Sequence, residues 1–192
     1  MVTIEFQAEV IPAACTGCKK CVWVCPTEAI HMEDNIAIIN KARCVSCQNC
    51  HGICPDDAIF KEERAEPLVL GVDYKSVDQD QIAEICRNSN IHPMQWLCLC
   101  TATRCREGAA AILQGAKTPE DIALMTGVRS GCTVYCTMMS LRLLKGAGIE
   151  VVKPPKWRWY DTTQTLWEFP EELKETYEGY FLDEDKDVFR KF

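Results

Sequence analysis

The chain has 192 residues, a formal net charge of −7 and fourteen cysteines. Its length suits one ordinary domain or two small ones, and its acidic balance argues against nucleic acid or an anionic membrane surface as a partner. Fourteen thiols exceed what a reduced core uses, which leaves disulfides, zinc or iron–sulfur clusters to explain them.

Residues 1–15 carry Glu5 and Glu9 without a basic run, so no secretory leader, and with it no disulfide scaffold, is expected. The longest uncharged runs, Asn88–Thr103 and Ser130–Leu141, are sixteen and twelve residues, short of the roughly 20 that a membrane helix needs. The expectation is a cytoplasmic chain with no membrane partner, whose thiols stay reduced and open to metal. Ile4, Phe6, Ala8 and Val10 alternate with polar residues, as a half-buried strand does. A repeat follows. Cys15, Cys18, Cys21, Cys25 and Pro26 recur as Cys44, Cys47, Cys50, Cys54 and Pro55, each 29 residues on, with an echo in Ala29-Ile30 and Ala58-Ile59. Asp34-Asn35 separates Ile30–Glu33 from Ile36–Ile39, a hairpin signal, and the segments after Pro26 and Pro55 are expected as short helices.

Three cysteines in a tight loop can fold their sulfurs around one face of a cubane, while loop N–H groups stabilise its negative charge. A zinc site needs only four thiolates. Eight in two copies, each copy ending in Cys-Pro, fit the cluster motif better. Residues 1–65 resemble the bacterial 2[4Fe–4S] ferredoxins, whose fourth cysteine ligates the other cluster. The resemblance implies that Cys15, Cys18, Cys21 and Cys54 hold one [4Fe–4S] cluster, and Cys44, Cys47, Cys50 and Cys25 the other. Val22, Val24, Ile30, Ile38, Val45, Ile53 and Ile59 are expected to shield the clusters, with His31 and His51 on the surface.

Residues 62–76 read as a linker with a charged start; the domain division takes 66–79 as linker and 80–148 as a small all-α domain. Helices are expected over Val77–Arg87, over Thr103–Gln114, from a Thr118 cap and Pro119 to about Met125, and over Cys132–Lys145 with Gly146 as the terminating glycine. At their junctions lie Cys98-x-Cys100 and Cys132-x3-Cys136. This pattern, with Leu97-Cys98-Leu99-Cys100-Thr101, the Gly115–Asp121 helix start and Gly131-Cys132, resembles the helix-turn-helix [2Fe–2S] domain of bacterioferritin-associated ferredoxin. The resemblance implies a [2Fe–2S] cluster held by Cys98, Cys100, Cys132 and Cys136 near helix N-termini, where unpaired N–H groups favour negative charge. The family has two residues between the last pair. Here there are three, Thr133, Val134 and Tyr135, which makes Cys105 a rival for the fourth position. Structural zinc and buried free thiols are the alternatives for this group, and Cys86 is expected to be a core thiol.

Residues 149–192 form an extended aromatic tail: residues 151–192 hold three of the five Trp, three of the five Tyr and four of the six Phe. A disordered tail would be aromatic-poor. This one either folds back over the cluster domains or docks on a larger subunit, with only Glu171–Tyr180 fit for a short helix. The fold class expected is thus α+β: a dicluster ferredoxin-like domain, the helical [2Fe–2S] domain and the tail. No nucleotide loop or nucleophilic triad stands out, so no catalytic residue is assigned. The expected role is the electron-transfer subunit of a multi-subunit, anaerobic oxidoreductase. Its partners would be a larger flavin- or metal-containing catalytic subunit, met through the tail, and a redox partner protein. The alternatives are a stand-alone ferredoxin and an iron-handling adaptor that docks transiently.

Overall fold

The computed structural model describes residues 1–151, 160, 169–176, 179 and 183–184. They divide into two compact units, Met1–Tyr160 and Asp161–Phe192. The chain mixes helix and strand, and none of its described helices is long and apolar enough to cross a membrane.

The first part of unit Met1–Tyr160 is built twice. Strand β1 (Val2–Val10) leads through a 3-10 turn at Pro12–Ala14 into helix α1 (Lys20–Val24) and strand β2 (Ile30–Glu33). Strand β3 (Ile36–Ile39) leads through a 3-10 turn at Lys41–Arg43 into helix α2 (Asn49–Ile53) and strand β4 (Ile59–Leu70). Turn, helix and following strand each begin 29 residues after their counterparts, the spacing of the cysteine repeat. β1 pairs antiparallel with β4 and β2 with β3, so each ribbon joins the two copies or closes the hairpin between them. Two further bonds cross reciprocally: Ile11 N–H donates to Ala58 O at 2.8 Å and Asn40 N–H to Ala29 O at 2.7 Å. The β1 alternation holds at its end, where Ala8 and Val10 are buried.

Three expectations change here. The short helices precede Pro26 and Pro55 rather than follow them, because Cys25 and Cys54 are extended C-caps and the residues after proline turn into strands. The segment read as a charged linker is sheet as far as Leu70, whose partner is Val2. A two-stranded ribbon leaves much of its surface in water, so charged residues are tolerated, and Pro67 costs little on an edge. A bulge absorbs the irregular stretch: Ile4 faces Leu68, yet Phe6 faces Glu63. Of the expected shielding residues, Ile30, Val45 and Ile59 are buried, whereas Ile38 and Ile53 are exposed.

The second part packs α3 (Gln79–Asn88), α4 (Cys105–Leu113), α5 (Pro119–Thr126) and α6 (Tyr135–Gly146) around one core. Gly108, Ala109, Ala110, Ala111 and Ile112 of α4 are all buried, and small side chains let neighbouring helices approach closely. Asp78 caps α3 by accepting from the N–H groups of Asp80 and Gln81. Thr118 caps α5 by accepting from Asp121 N–H at 3.1 Å, and Gly127 ends it at φ 77°, as expected. α4 starts at Cys105, because Thr103–Arg104 (β6) pairs with Trp96–Cys98 (β5), with the Arg104 guanidinium over the Trp96 ring. The part is therefore not purely helical. Gly146 is the last residue of α6 and not the glycine beyond its end, and it lies against α3.

In the unit Asp161–Phe192, helix α7 (Glu171–Thr176) falls within the short helix expected there. Trp157, Trp159 and Trp167, on which the expectation of a docking tail rests, lie outside the described residues.

A Cβ on Gly146 would sit 2.1 Å from Ser89 Oγ and 2.8 Å from the Ile85 carbonyl oxygen. The carbonyl is fixed in α3, so Gly146→Ala is expected to destabilise the chain by about 1–3 kcal/mol through overpacking, read as a fall in the denaturation midpoint.

Candidate metal centres

The duplicated loops bring eight thiols into two sets of four. One cavity, about 340 Å³ including its mouth, is lined by Cys15, Cys18, Cys21 and Cys54. A second of the same volume is lined by Cys25, Cys44, Cys47 and Cys50. Each set takes three cysteines from one copy of the repeat and the fourth from the other. The rest of each wall is mostly apolar: Val10, Met32, Ala37, Ala58 and Ile59 around the first, and Ala8, Ala29, Ile30, Ile39 and Val45 around the second. Among the described residues no three His, Cys, Asp or Glu side chains form a group able to hold one metal ion. The thiols surround a volume, not a point.

The loops reach this shape through paired left-handed residues. Gly17 and Ser46 (φ 72° and 53°), Lys19 and Gln48 (65° and 63°), and Glu28 and Asp57 (53° and 47°) are each 29 apart. Left-handed residues beside right-handed ones turn successive N–H groups into one concavity that favours an anion. Gly17 has no alternative, since a Cβ there would lie 2.6 Å from Asn35 O. N–H groups also reach the sulfurs directly: Ala29 to Cys25 at 3.2 Å, Ala58 to Cys54 at 3.4 Å, and Ala8 to Cys44 at 3.4 Å. The first two are equivalent positions of the repeat, and the Ala29/Ala58 echo was their signal in the sequence. Ala8 carried none.

Burial pushes the Cys47 thiol up to about 11 and the Cys50 thiol to about 12, with neighbouring sulfurs adding to the shift. Such thiols stay protonated unless a cationic core offsets their charge, so metal binding here releases protons. Four thiols, inward N–H groups and an apolar lining fit a four-iron cluster in each cavity. His31 and His51 are exposed, and His31 pairs with Glu33.

In the helical part Cys98 and Cys136 are buried, whereas Cys100 and Cys132 are exposed. Cys98 interacts with Cys136, and Cys132 with Cys100. Gly131 permits the second approach, for a Cβ on it would lie 2.9 Å from Cys100 Sγ. The additional residue between Cys132 and Cys136 is absorbed by a left-handed turn at Thr133, φ 58°. The N–H groups of Val134 and Tyr135 then favour the Cys132 thiolate and lower its pKa. Burial opposes ionisation of Cys98, yet the Thr101 hydroxyl and the N–H groups of Arg129, Thr101 and Cys100 bring its pKa below the ordinary value. Burial, then the Cys98 sulfur, drives Cys136 up to about 12. Cys105 is elsewhere: it is fully buried in the helical core, raised to about 12 by burial and then by Cys86.

Two outcomes are expected. Gly17→Ala strains a left-handed turn against a backbone oxygen and is expected to cost about 2 kcal/mol, against less than about 1 kcal/mol for Ser46→Ala. Denaturation of the two variants side by side measures the difference. In iron-free chain at neutral pH, Cys132 is expected to alkylate first, because its lowered pKa supplies thiolate at an exposed position. Cys86 and Cys105 are expected last, since burial holds them at about 11 and about 12. Peptide mass spectrometry after brief alkylation gives the order; equal labelling of Cys105 and Cys132 would contradict it.

No curated protein and no solved structure matches the chain. Residues 14–58, the span that holds all eight thiols of the two cavities, match the family model of the 4Fe-4S dicluster domain, which marks this region as ferredoxin-like and supports electron transfer by iron–sulfur clusters.

Proposed function

We propose that the chain is a cytoplasmic electron-transfer subunit of a multi-subunit oxidoreductase, carrying two [4Fe–4S] clusters and one [2Fe–2S] cluster. Cys15, Cys18, Cys21 and Cys54 hold the first cubane, and Cys44, Cys47, Cys50 and Cys25 the second. The smaller cluster belongs to Cys98, Cys100, Cys132 and Cys136. The observation that carries the reading is the crossing of Cys54 and Cys25 into the cavities of the opposite copies.

Iron–sulfur clusters take up and return electrons one at a time at potentials set by charge, N–H hydrogen bonds and exposure. The protein's share of the work is electrostatic. The N–H groups of Ala8, Ala29 and Ala58 face sulfur, where they stabilise the additional negative charge of a reduced state. Apolar walls limit water and hold the geometry fixed, so little has to reorganise when charge changes. In the helical part, Cys98 and Cys132 are tuned towards thiolate by neighbouring N–H groups.

The aromatic content of residues 151–192 supports a permanent partner, since Trp and Tyr anchor interfaces. The larger subunit would carry the flavin or metal that converts substrate. Co-purification of a stable heteromer with a dehydrogenase or reductase is the outcome expected; a monomer with its tail packed on itself supports a stand-alone carrier.

Anaerobically purified protein is expected to contain about ten irons with matching acid-labile sulfide. Cys54→Ser should perturb the cubane of the first cavity and Cys25→Ser that of the second. Cys136→Ser should abolish the two-iron EPR signal, whereas Cys105→Ser should retain it. Eight irons with one zinc would reduce the helical site to a structural role. A colourless native chain without labile sulfide would overturn the proposal.

A further inference from the structure

The helical part meets the dicluster part at Cys25-Pro26-Thr27. The Pro26 carbonyl accepts from Arg129 Nη1 at 3.2 Å, and the Thr27 carbonyl from Arg43 Nε at 2.7 Å. Each arginine is anchored to an acid in the first turn of α5: Arg129 to Glu120 at 2.6 Å and Arg43 to Asp121 at 3.5 Å. Arg129 and Glu120 are 7% and 2% exposed, so theirs is a buried ion pair. A lone arginine in a loop is usually a solvated charge. This one is not.

Arg129 is also held left-handed, at φ 68°, a conformation that costs roughly 1–2 kcal/mol outside glycine. That backbone places its own N–H beside the sulfurs of Cys98 and Cys136. Its main chain thus touches one thiol set, while its guanidinium touches the peptide next to Cys25, a member of another set. Arg129 and Thr133 further line one groove with Trp23, Val24 and Ile53, residues of α1 and α2 that lie immediately before Cys25 and Cys54 or close to them.

We infer that Arg129 is a positioning residue that couples the helical thiol set to the Cys25, Cys44, Cys47 and Cys50 set and provides the route by which single electrons pass between them. The inference rests on the iron–sulfur reading above. It orders the three sets: the helical one, then the set containing Cys25, then the set containing Cys54. In a transfer along this route one centre is oxidised by one electron and the other reduced by one. No bond is made or broken. The charge of Arg129 is paired with Glu120, so its removal would leave that carboxylate uncompensated near Cys25 and make an added electron there more costly.

The test compares wild-type protein with Arg129→Met, which keeps bulk but removes charge and donor, and Arg129→Lys, which keeps the charge on a shorter, single-headed donor. Iron, sulfide and EPR first establish loading. Flash photoreduction then measures electron exchange between the two-iron and four-iron centres, and a redox titration measures their potentials. The expected result for Arg129→Met is loaded centres, exchange slowed about tenfold and a lower potential for one cubane, with the other cubane unmoved. Should Arg129→Met fail to fold, Arg129→Lys carries the test, with slowed exchange and little change in potential. Loaded variants with wild-type exchange and wild-type potentials overturn the bridge alone. Wild-type protein lacking a two-iron signal overturns the bridge together with the reading beneath it.

Discussion

Each copy of the repeat is incomplete without one thiol from the other. Cys54 lines the cavity built by Cys15, Cys18 and Cys21, and Cys25 lines the one built by Cys44, Cys47 and Cys50. Neither cavity exists unless both copies are folded and docked. The ribbons and the reciprocal bonds from Ile11 and Asn40 fix the docking, yet the common core is small and itself includes Cys21, Cys25, Cys44 and Cys50. A unit of this size has little apolar surface to bury, and metal–thiolate bonds are the usual supplement. Burial pushes Cys50 to about 12, so its proton loss is tied to the binding of a cationic core. Folding, proton release and cluster binding are then one linked equilibrium.

The helical part is fastened by charge as well as by buried Leu70, which lies beside Gly127. Consecutive acids at the start of α5, Glu120 and Asp121, pair with Arg129 and Arg43, and both arginines donate to carbonyls that directly follow Cys25. Tyr160 closes over the buried pair by bonding Glu120. Removing one partner of such a pair strands a buried charge and costs about 3–5 kcal/mol, whereas the intact pair adds little net stability. What the pair contributes is placement. Hydrophobic contacts would tolerate sliding of α5 over the loop, but directional bonds to two successive carbonyls do not.

Much of this was legible in the residues, for reasons that differ by element. The 29-residue repeat marked eight equivalent thiols, and the resemblance to dicluster ferredoxins supplied the crossing of Cys54 and Cys25 that the two cavities display. The Thr118 and Gly127 boundaries of α5 were legible because capping is local chemistry. β4 was misread because its exposed faces accept charge as a linker does, and nothing local reveals that Val2 lies opposite Leu70. Gly146 was misread because a glycine that admits a neighbouring helix looks the same in sequence as one that follows the end of its own. Arg129 gave no signal at all. Its burial depends on a partner nine residues away and on a carbonyl in the other half of the unit, contacts that no periodicity encodes.

The three thiol sets also differ in how water reaches them, and this follows from where each lies in the chain. Three of the four thiols around Cys25 are buried, the exception being half-buried Cys47. The set completed by Cys54 exposes Cys18, and the helical set exposes Cys100 and Cys132. The set contacted through Arg129 is thus the most enclosed, with a more exposed set on either side of it in the proposed order. Enclosure makes additional negative charge costly, and N–H groups offset part of that cost. In the proposed order the exposed sets therefore lie at the two ends and the enclosed one between them, beside a peptide held by a directed bond from Arg129.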